Sequence, residues 1–199
     1  NERGKWGLVG FHVTVKTAGY PGWVWATFEQ VDNISTEAGS GRRPSYNNGT
    51  DDPPPNALGY DYNPKRNIPP FARLSERNPV QVTRLVPIPS TPRDPAGYST
   101  ADLNHRYRKL LRGTVWEYYE LVGTQWSLQP EQYTAYNPEY NYRNYTEDLA
   151  GTPFPSQLSN TTMETYIQTR SSCIQCHYHA AALGSDFSWI MPKRAYPVR

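Results

Sequence analysis

The chain has 199 residues, with 20 Lys and Arg against 18 Asp and Glu, a formal net charge of +2. That length suffices for one domain with its own core; the basic residues are scattered, giving no nucleic-acid signal, and no apolar run nears the ~18 residues of a membrane span. Aliphatic residues are scarce, but 16 Tyr and 6 Trp supply large buriable surfaces, while 19 Pro and 14 Gly argue against an all-helical bundle.

Residues 6–16, WGLVGFHVTVK, alternate as a strand. Val9, Phe11, Val13 and Val15 share one face; Leu8, Gly10, His12 and Thr14 share the other. After the turn TAGYPG, residues 23–31 form a second run, with Trp23, Trp25 and Thr27 opposite Val24, Ala26 and Phe28. The two runs predict an antiparallel hairpin. Two strands are marginal alone, so the hairpin calls for partners. A missing N-terminal segment or a neighbouring chain is expected to supply them, making 1–199 a single domain that is the C-terminal part of a longer fold.

Residues 32–100 are turn chemistry, read as a long loop-rich surface insertion packed on the body through Tyr60, Tyr62 and Phe71. Only 80–86 has extended character. Residues 100–112 predict a helix capped by Thr100 and ended by Gly113, with an apolar stripe of Leu103, Tyr107, Leu110 and Leu111. Residues 114–126 fit strand or helix, and 129–157 return to loop. A capping box from Thr161 to Glu164 predicts a further helix that breaks near Ser171 and Ser172 and resumes through the cysteines.

The two cysteines are Cys173 and Cys176, and His177 follows directly. C-x-x-C-H is the attachment signature of c-type haem. Two thiols three residues apart on a helical turn can each add to a porphyrin vinyl group, and the next residue then presents its imidazole to the iron. The competing readings fit less well. A redox dithiol belongs after a strand in a βαβ unit, which is not visible. Zinc needs four ligands around a tetrahedron, and Cys173, Cys176, His177 and His179 are too crowded for one. A disulfide at this spacing would close a strained, tiny loop. One covalent haem c is therefore expected, with His177 as proximal ligand.

His12, His105, His179, Met163 and Met191 are the candidates for the sixth ligand. His179 shares the proximal side with His177. Met163, on a continuous helix, would lie roughly 21 Å from His177. Met191 serves equally well as core, and His105 belongs to a solvated face with Asn104, Arg106 and Arg108. His12 shares its strand face with Gly10, and a strand glycine marks close approach of a ligand or another backbone. His12 is the preferred distal residue, and Trp23 and Trp25 border the haem as hairpin packing.

The segments GFHVTVK (10–16), YPGWVWATFEQVDN (20–33), CIQCH (173–177) and SDFSWIM (185–191) resemble the β-sheet monohaem c-type cytochromes: the lysine-crosslinked hydroxylamine-oxidising cytochromes and the β-type cytochromes c-prime. WVWATFEQVDN, GTVWEYYELVGTQW and LSNTTMETYIQ are similar to a further group of bacterial c-type cytochromes. The resemblance implies a mainly β fold with a few helices, an antiparallel sheet covering a haem and a C-terminal haem-attachment helix. It also implies that His12 lines the distal pocket. The crosslinking lysine has no match, since Lys16 does not occupy its place.

The expected function is electron transfer by an exported bacterial cytochrome, periplasmic or extracellular, with a redox partner protein. One alternative is a haem enzyme acting on a small nitrogen oxide, hydroxylamine or peroxide, with His12 as acid or base. Another is a structural or assembly subunit whose Tyr-rich loops bind a neighbour.

Overall fold

A computed structural model describes residues 4–17, 20–35, 43–47, 56, 81–92, 96–127, 153–182 and 187–188. Within them the chain is mainly β with few helices. Strand β1 (Gly10–Thr17) pairs antiparallel with β2 (Tyr20–Gln30), which pairs antiparallel with β3 (Tyr119–Ser127). A two-residue strand, β4 (Pro153–Phe154), extends the sheet beyond β3, giving the order β1-β2-β3-β4. Helix α1 (Thr100–Leu110) and helix α2 (Cys173–Ala182) flank the sheet.

The expected hairpin forms, and its register joins the two face patterns. His12 lies opposite Thr27, Thr14 opposite Trp25, and Gly10 opposite Glu29. On β3, Gln125 lies opposite Trp25 and Gly123 opposite Thr27. One face, here the front, thus carries Gly10, His12, Thr14, Trp25, Thr27, Glu29, Gly123 and Gln125. On the back, Phe11 stacks on Phe28 with centroids 4.8 Å apart, and Tyr119 and Trp116 meet Phe11 edge-on at 5.4 and 5.7 Å. Such pairs add about 0.5–1.5 kcal/mol each beyond area burial.

The third strand comes from 119–127, so the hairpin is not alone. The ambiguous segment before it splits: Val115–Tyr118 is a 3-10 turn and the chain then extends. A bulge between Thr27 and Phe28 shifts the register against β3. β1 starts at Gly10 rather than near Trp6. It is the sheet's outer strand, and its Val13 and Val15 are exposed.

Helix α1 is capped one residue earlier than expected. The Ser99 hydroxyl accepts from Asp102 N at 3.0 Å, and Asp102 Oδ2 accepts from Ser99 N at 2.9 Å, completing a capping box. The helix ends at Leu110 with Leu111 as its C-cap, short of the expected residue 112, and Gly113, with φ +85°, turns the chain beyond it rather than closing the helix. The proposed apolar stripe does not seat in a core: Leu110 is 70% exposed and no residue of α1 is buried. The helix is fastened instead by Asn104, whose amide oxygen accepts from Leu121 N (2.7 Å) and whose Nδ2 donates to Leu121 O (2.8 Å).

The helix expected from Thr161 does not form; turns and a 3-10 turn at Thr165–Ile167 take its place. The cap is Asn160, whose side chain accepts from Met163 N and whose backbone N donates to Glu164 Oε2 at 2.7 Å. Thr161, the expected cap, is drawn into the sheet, its N–H donating to Glu29 Oε1. The extended segment expected at 80–86 forms no strand: residues 81–90 hold no regular structure, bend at Leu85 and Val86, and are tied by Val82 N donating to Tyr46 O at 2.7 Å. Most of the 32–100 insertion, with Tyr60, Tyr62 and Phe71, and most of 129–157 lie outside the described residues.

Candidate functional site

Two things cover the front face. At one end the segment 158–161 lies against the sheet. At the other, α2 packs on β2 and β3, and Trp25, Val122, Leu158, Cys173, Ile174, Tyr178 and Phe187 form the core.

The first end explains both glycines of the face. A Cβ at Gly10 would stand 2.8 Å from Phe28 O and 3.0 Å from Asn160 Nδ2; one at Gly123 would stand 2.7 Å from Leu158 Cδ1. The close approach that Gly10 signals is therefore made by the Phe28 carbonyl of the neighbouring strand, with Asn160 beside it. This corrects the reading of Gly10 as the place where a porphyrin comes near. Asn160 Nδ2 donates to Thr27 Oγ1 (2.9 Å) and Phe28 O (3.0 Å). Beside it the wholly buried Glu29 accepts from Arg84 Nη2 at 2.9 Å, and Arg84 also reaches Glu120 Oε1 at 3.3 Å and Thr161 Oγ1 at 3.1 Å. Glu120 titrates above the usual carboxylate range, because burial outweighs the attraction of Arg84 and Glu29 adds repulsion.

The second end gathers the residues that the sequence pointed to. The N-terminus of α2 is held by β3. Gln125 Oε1 accepts from Ile174 N (3.0 Å) and Ser172 Oγ (3.2 Å), and Gln125 Nε2 donates to Pro155 O at 2.7 Å. One orphan helix donor, the Ile174 N–H, is thereby met by a buried strand side chain. Nothing in the sequence marks Gln125 for this role. Cys173, Cys176 and His177 follow on the first turn at i, i+3 and i+4, the spacing that shares a helix face.

Both thiols are free; Cys173 is buried and Cys176 reaches solvent. Burial pushes the Cys173 thiol up to about 12, with Glu164 adding to the effect. Cys176 is raised by the same causes despite its exposure. These are neutral thiols, unlike the depressed thiolates of redox dithiols. Among the described residues no three His, Cys, Asp or Glu side chains gather around a single metal position.

His177 Nδ1 lies 2.8 Å from the carbonyl oxygen of Phe187. A carbonyl can only accept, so Nδ1 carries the proton and Nε2 keeps its lone pair. Burial lowers the His177 titration below its usual value; the Phe187 carbonyl opposes this, and nearby His12 adds to the lowering. The imidazole is thus held neutral and oriented, the state a metal-ligating histidine needs. Trp25 packs against its ring, with centroids 4.2 Å apart and planes tilted by 40°. An imidazole lone pair lies in the ring plane, so a ring-face neighbour leaves it accessible.

Trp23 stacks on Trp25 at 5.6 Å and 14°. The Trp25 indole donates to Gly22 O at 2.8 Å, whereas the Trp23 Nε1 is buried with no hydrogen-bond partner. Trp23 also has φ +65°, a left-handed backbone that bulky residues rarely hold. His12 is on the same front face, exposed, and close enough to His177 for the two to repel when charged.

His105 is exposed on α1, as its neighbours implied. Met163 is 41% exposed, and the continuous helix assumed between it and His177 is absent, which removes the distance argument against it. Met191 and the side chain of His179 fall outside what is described. Comparison with family models, curated proteins and solved structures finds no match to this chain.

Proposed function

We propose that this chain is a c-type cytochrome that carries one covalent haem and transfers electrons. One observation carries the reading: the C-x-x-C-H residues stand on the first turn of α2, with His177 Nδ1 committed to Phe187 O and Nε2 left for a metal. The residues present fit the group. Cys173 and Cys176 offer two free thiols that can form thioethers by addition across two vinyl groups, each sulfur bonding to one vinyl carbon and each thiol proton going to the other. His177 supplies the proximal imidazole. Trp25 supports that ring, and Trp23 and Trp25 border the pocket. His12, across the same face, is the proposed distal ligand. Haem held by these residues would supply one-electron ferric/ferrous chemistry, and ligation by His177 and His12 would set a potential below that of a His/Met pair.

The measurement is intact mass after acidified-solvent extraction. A mass increased by one haem supports the proposal; haem lost to the solvent rejects it. Thioether attachment takes place outside the bacterial cytoplasm, so the proposal includes a periplasmic or extracellular location and a redox partner protein. The exposed Val13 and Val15 on outer strand β1 support the proposal that a further segment or a neighbouring chain completes the sheet there.

A second reading has one observation in its favour: His12 is exposed, as an acid/base residue over an open distal side would be. In this reading the protein is a haem enzyme acting on a small nitrogen oxide, hydroxylamine or peroxide. The visible spectrum separates the two. A six-coordinate low-spin haem supports transfer, and a five-coordinate high-spin haem supports catalysis. If His12 is the ligand, His12→Ala turns a low-spin haem high-spin and lets it bind CO; an unchanged spectrum transfers the role to another side chain. Assembly through the Tyr-rich loops concerns segments outside the described residues.

A further inference from the structure

We infer that the Trp23 indole N–H donates a hydrogen bond to a carboxylate of the bound porphyrin, an assignment that rests on the haem reading above and identifies the residue that positions the acid edge of the group. Three observations meet at Trp23. Its Nε1 is buried without a hydrogen-bond partner. Its φ of +65° is an unfavourable backbone for tryptophan. Its ring stacks on Trp25, which packs against His177.

A buried N–H with no acceptor is rare because it forfeits its hydration and gains nothing in return. A strained backbone persists only where the surroundings over-determine it, and such outliers cluster at ligand sites. The neighbouring Trp25 is the internal contrast: its N–H is met by the Gly22 carbonyl at 2.8 Å. Of two stacked indoles on one strand, the protein satisfies one and leaves the other buried without an acceptor. Among the described residues the other buried polar side-chain atom in this condition is Ser159 Oγ, and Ser159 lines a separate cavity of about 560 Å³ between residues 86–91 and β3.

Indole nitrogen only donates, so the missing partner is an acceptor. In haem the vinyl groups and the carboxylates occupy opposite edges. Thiols on α2 would take the vinyl edge, and the carboxylate edge must then point away from that helix. The rings run from His177 through Trp25 to Trp23, so Trp23 stands one ring beyond the residue that packs on the proximal imidazole. A donor to an ionised carboxylate forms a charge-assisted bond, stronger than a neutral one.

The test uses the holoprotein with covalent haem verified by mass. In the ferrous form with nitrogen-15-labelled tryptophan, the Trp23 indole proton should show a nuclear Overhauser contact to the propionate methylenes. Trp23→Phe keeps the stack and removes the donor. Its carboxylate bending band in the resonance Raman spectrum should shift to lower frequency, while the iron spin state stays as in the wild type. A haem-loaded variant with an unmoved band, or a wild-type protein without the contact, overturns the assignment and leaves the haem reading standing. If the variant does not accumulate, the wild-type contact decides alone. Absence of covalent haem overturns the haem reading itself, and the donor with it.

Discussion

The two ends of the sheet's front face differ in what they leave unsatisfied. Around Glu29, the described hydrogen-bonding groups are closed on one another, with Ser159 Oγ of the same loop the exception: Arg84 on two carboxylates, Glu29 on Arg84 and Thr161, Asn160 on Thr27 and Phe28. Around His177, the chain holds open what a closed core would satisfy. Two thiols are unpaired, the Trp23 N–H lacks an acceptor, Trp23 is strained, and His177 Nε2 keeps its lone pair. Both ends share strands β1, β2 and β3, so secondary structure does not account for the contrast. The first end fastens the loop 158–161 to the sheet. The second leaves an indole N–H and two thiols unpaired by the protein's own groups, and the haem proposal rests on these.

The largest effect should come at the open end. Replacing both Cys173 and Cys176 with Ala should abolish covalent haem altogether, read as loss of the haem mass increment from the intact protein. Retention of haem through acid extraction in that variant would break the assignment of this end as the attachment site.

At the closed end, Glu29→Gln should destabilise the fold by about 3 kcal/mol, the range for breaking a buried charge pair by changing one partner. Chemical denaturation would read it as a lower midpoint with an unchanged slope. A loss below about 1 kcal/mol would mean that the network around Arg84 is ornamental and the contrast between the ends is overstated.

Gly10→Ala probes the seam between β1 and Asn160. Removing glycine's freedom from the unfolded chain stabilises by about 0.4–1 kcal/mol. The added methyl meets the backbone oxygen of Phe28 at 2.8 Å, which cannot rotate away. Overpacking of this kind costs about 1–3 kcal/mol, so net destabilisation is expected. Gly123→Ala should cost less, because its neighbour is the flexible end of Leu158. The reverse order would sharpen the picture by locating the rigid seat on β3.

Glu120→Gln should have the smallest effect and the opposite sign. The native Glu120 carboxyl holds its proton above the ordinary 4.5, chiefly through burial. Between 4.5 and that raised value the native state binds more protons than the unfolded chain, so stability falls as pH rises through the window. The amide cannot ionise, and Arg84 keeps Glu29. The variant should gain about 1 kcal/mol or less near neutral pH and show a flatter profile above pH 4.5. A profile as steep as that of the wild type would assign the slope to another group.

The antiparallel hairpin was legible in the sequence because strand alternation is local: Phe11, Val13 and Val15 against His12 and Thr14 need no partner to be read. The C-x-x-C-H motif was legible for the same reason, since thiols and imidazole at i, i+3 and i+4 are neighbours in any helix. What Gly10 accommodates was not, because a glycine reports that something comes near without naming it; the Phe28 carbonyl of β2 and Asn160, far along the chain, filled that place. The Thr161 helix failed for a related reason. Its capping pattern was sound in isolation, but the buried carboxylate of Glu29 competed for the Thr161 N–H.

By itself, then, the sequence determined the features whose physics acts over a few residues: the alternation of β1 and β2, the left-handed turn at Gly113 beyond α1 and the spacing of Cys173, Cys176 and His177. Only the tertiary structure decided that His12, Trp23, Trp25 and His177 share one face, that Gln125 supports the start of α2, and that the Phe187 carbonyl sets the His177 tautomer. Register, burial and hydrogen-bond partnership join segments more than a hundred residues apart, and no local pattern encodes which distant group will meet a given donor.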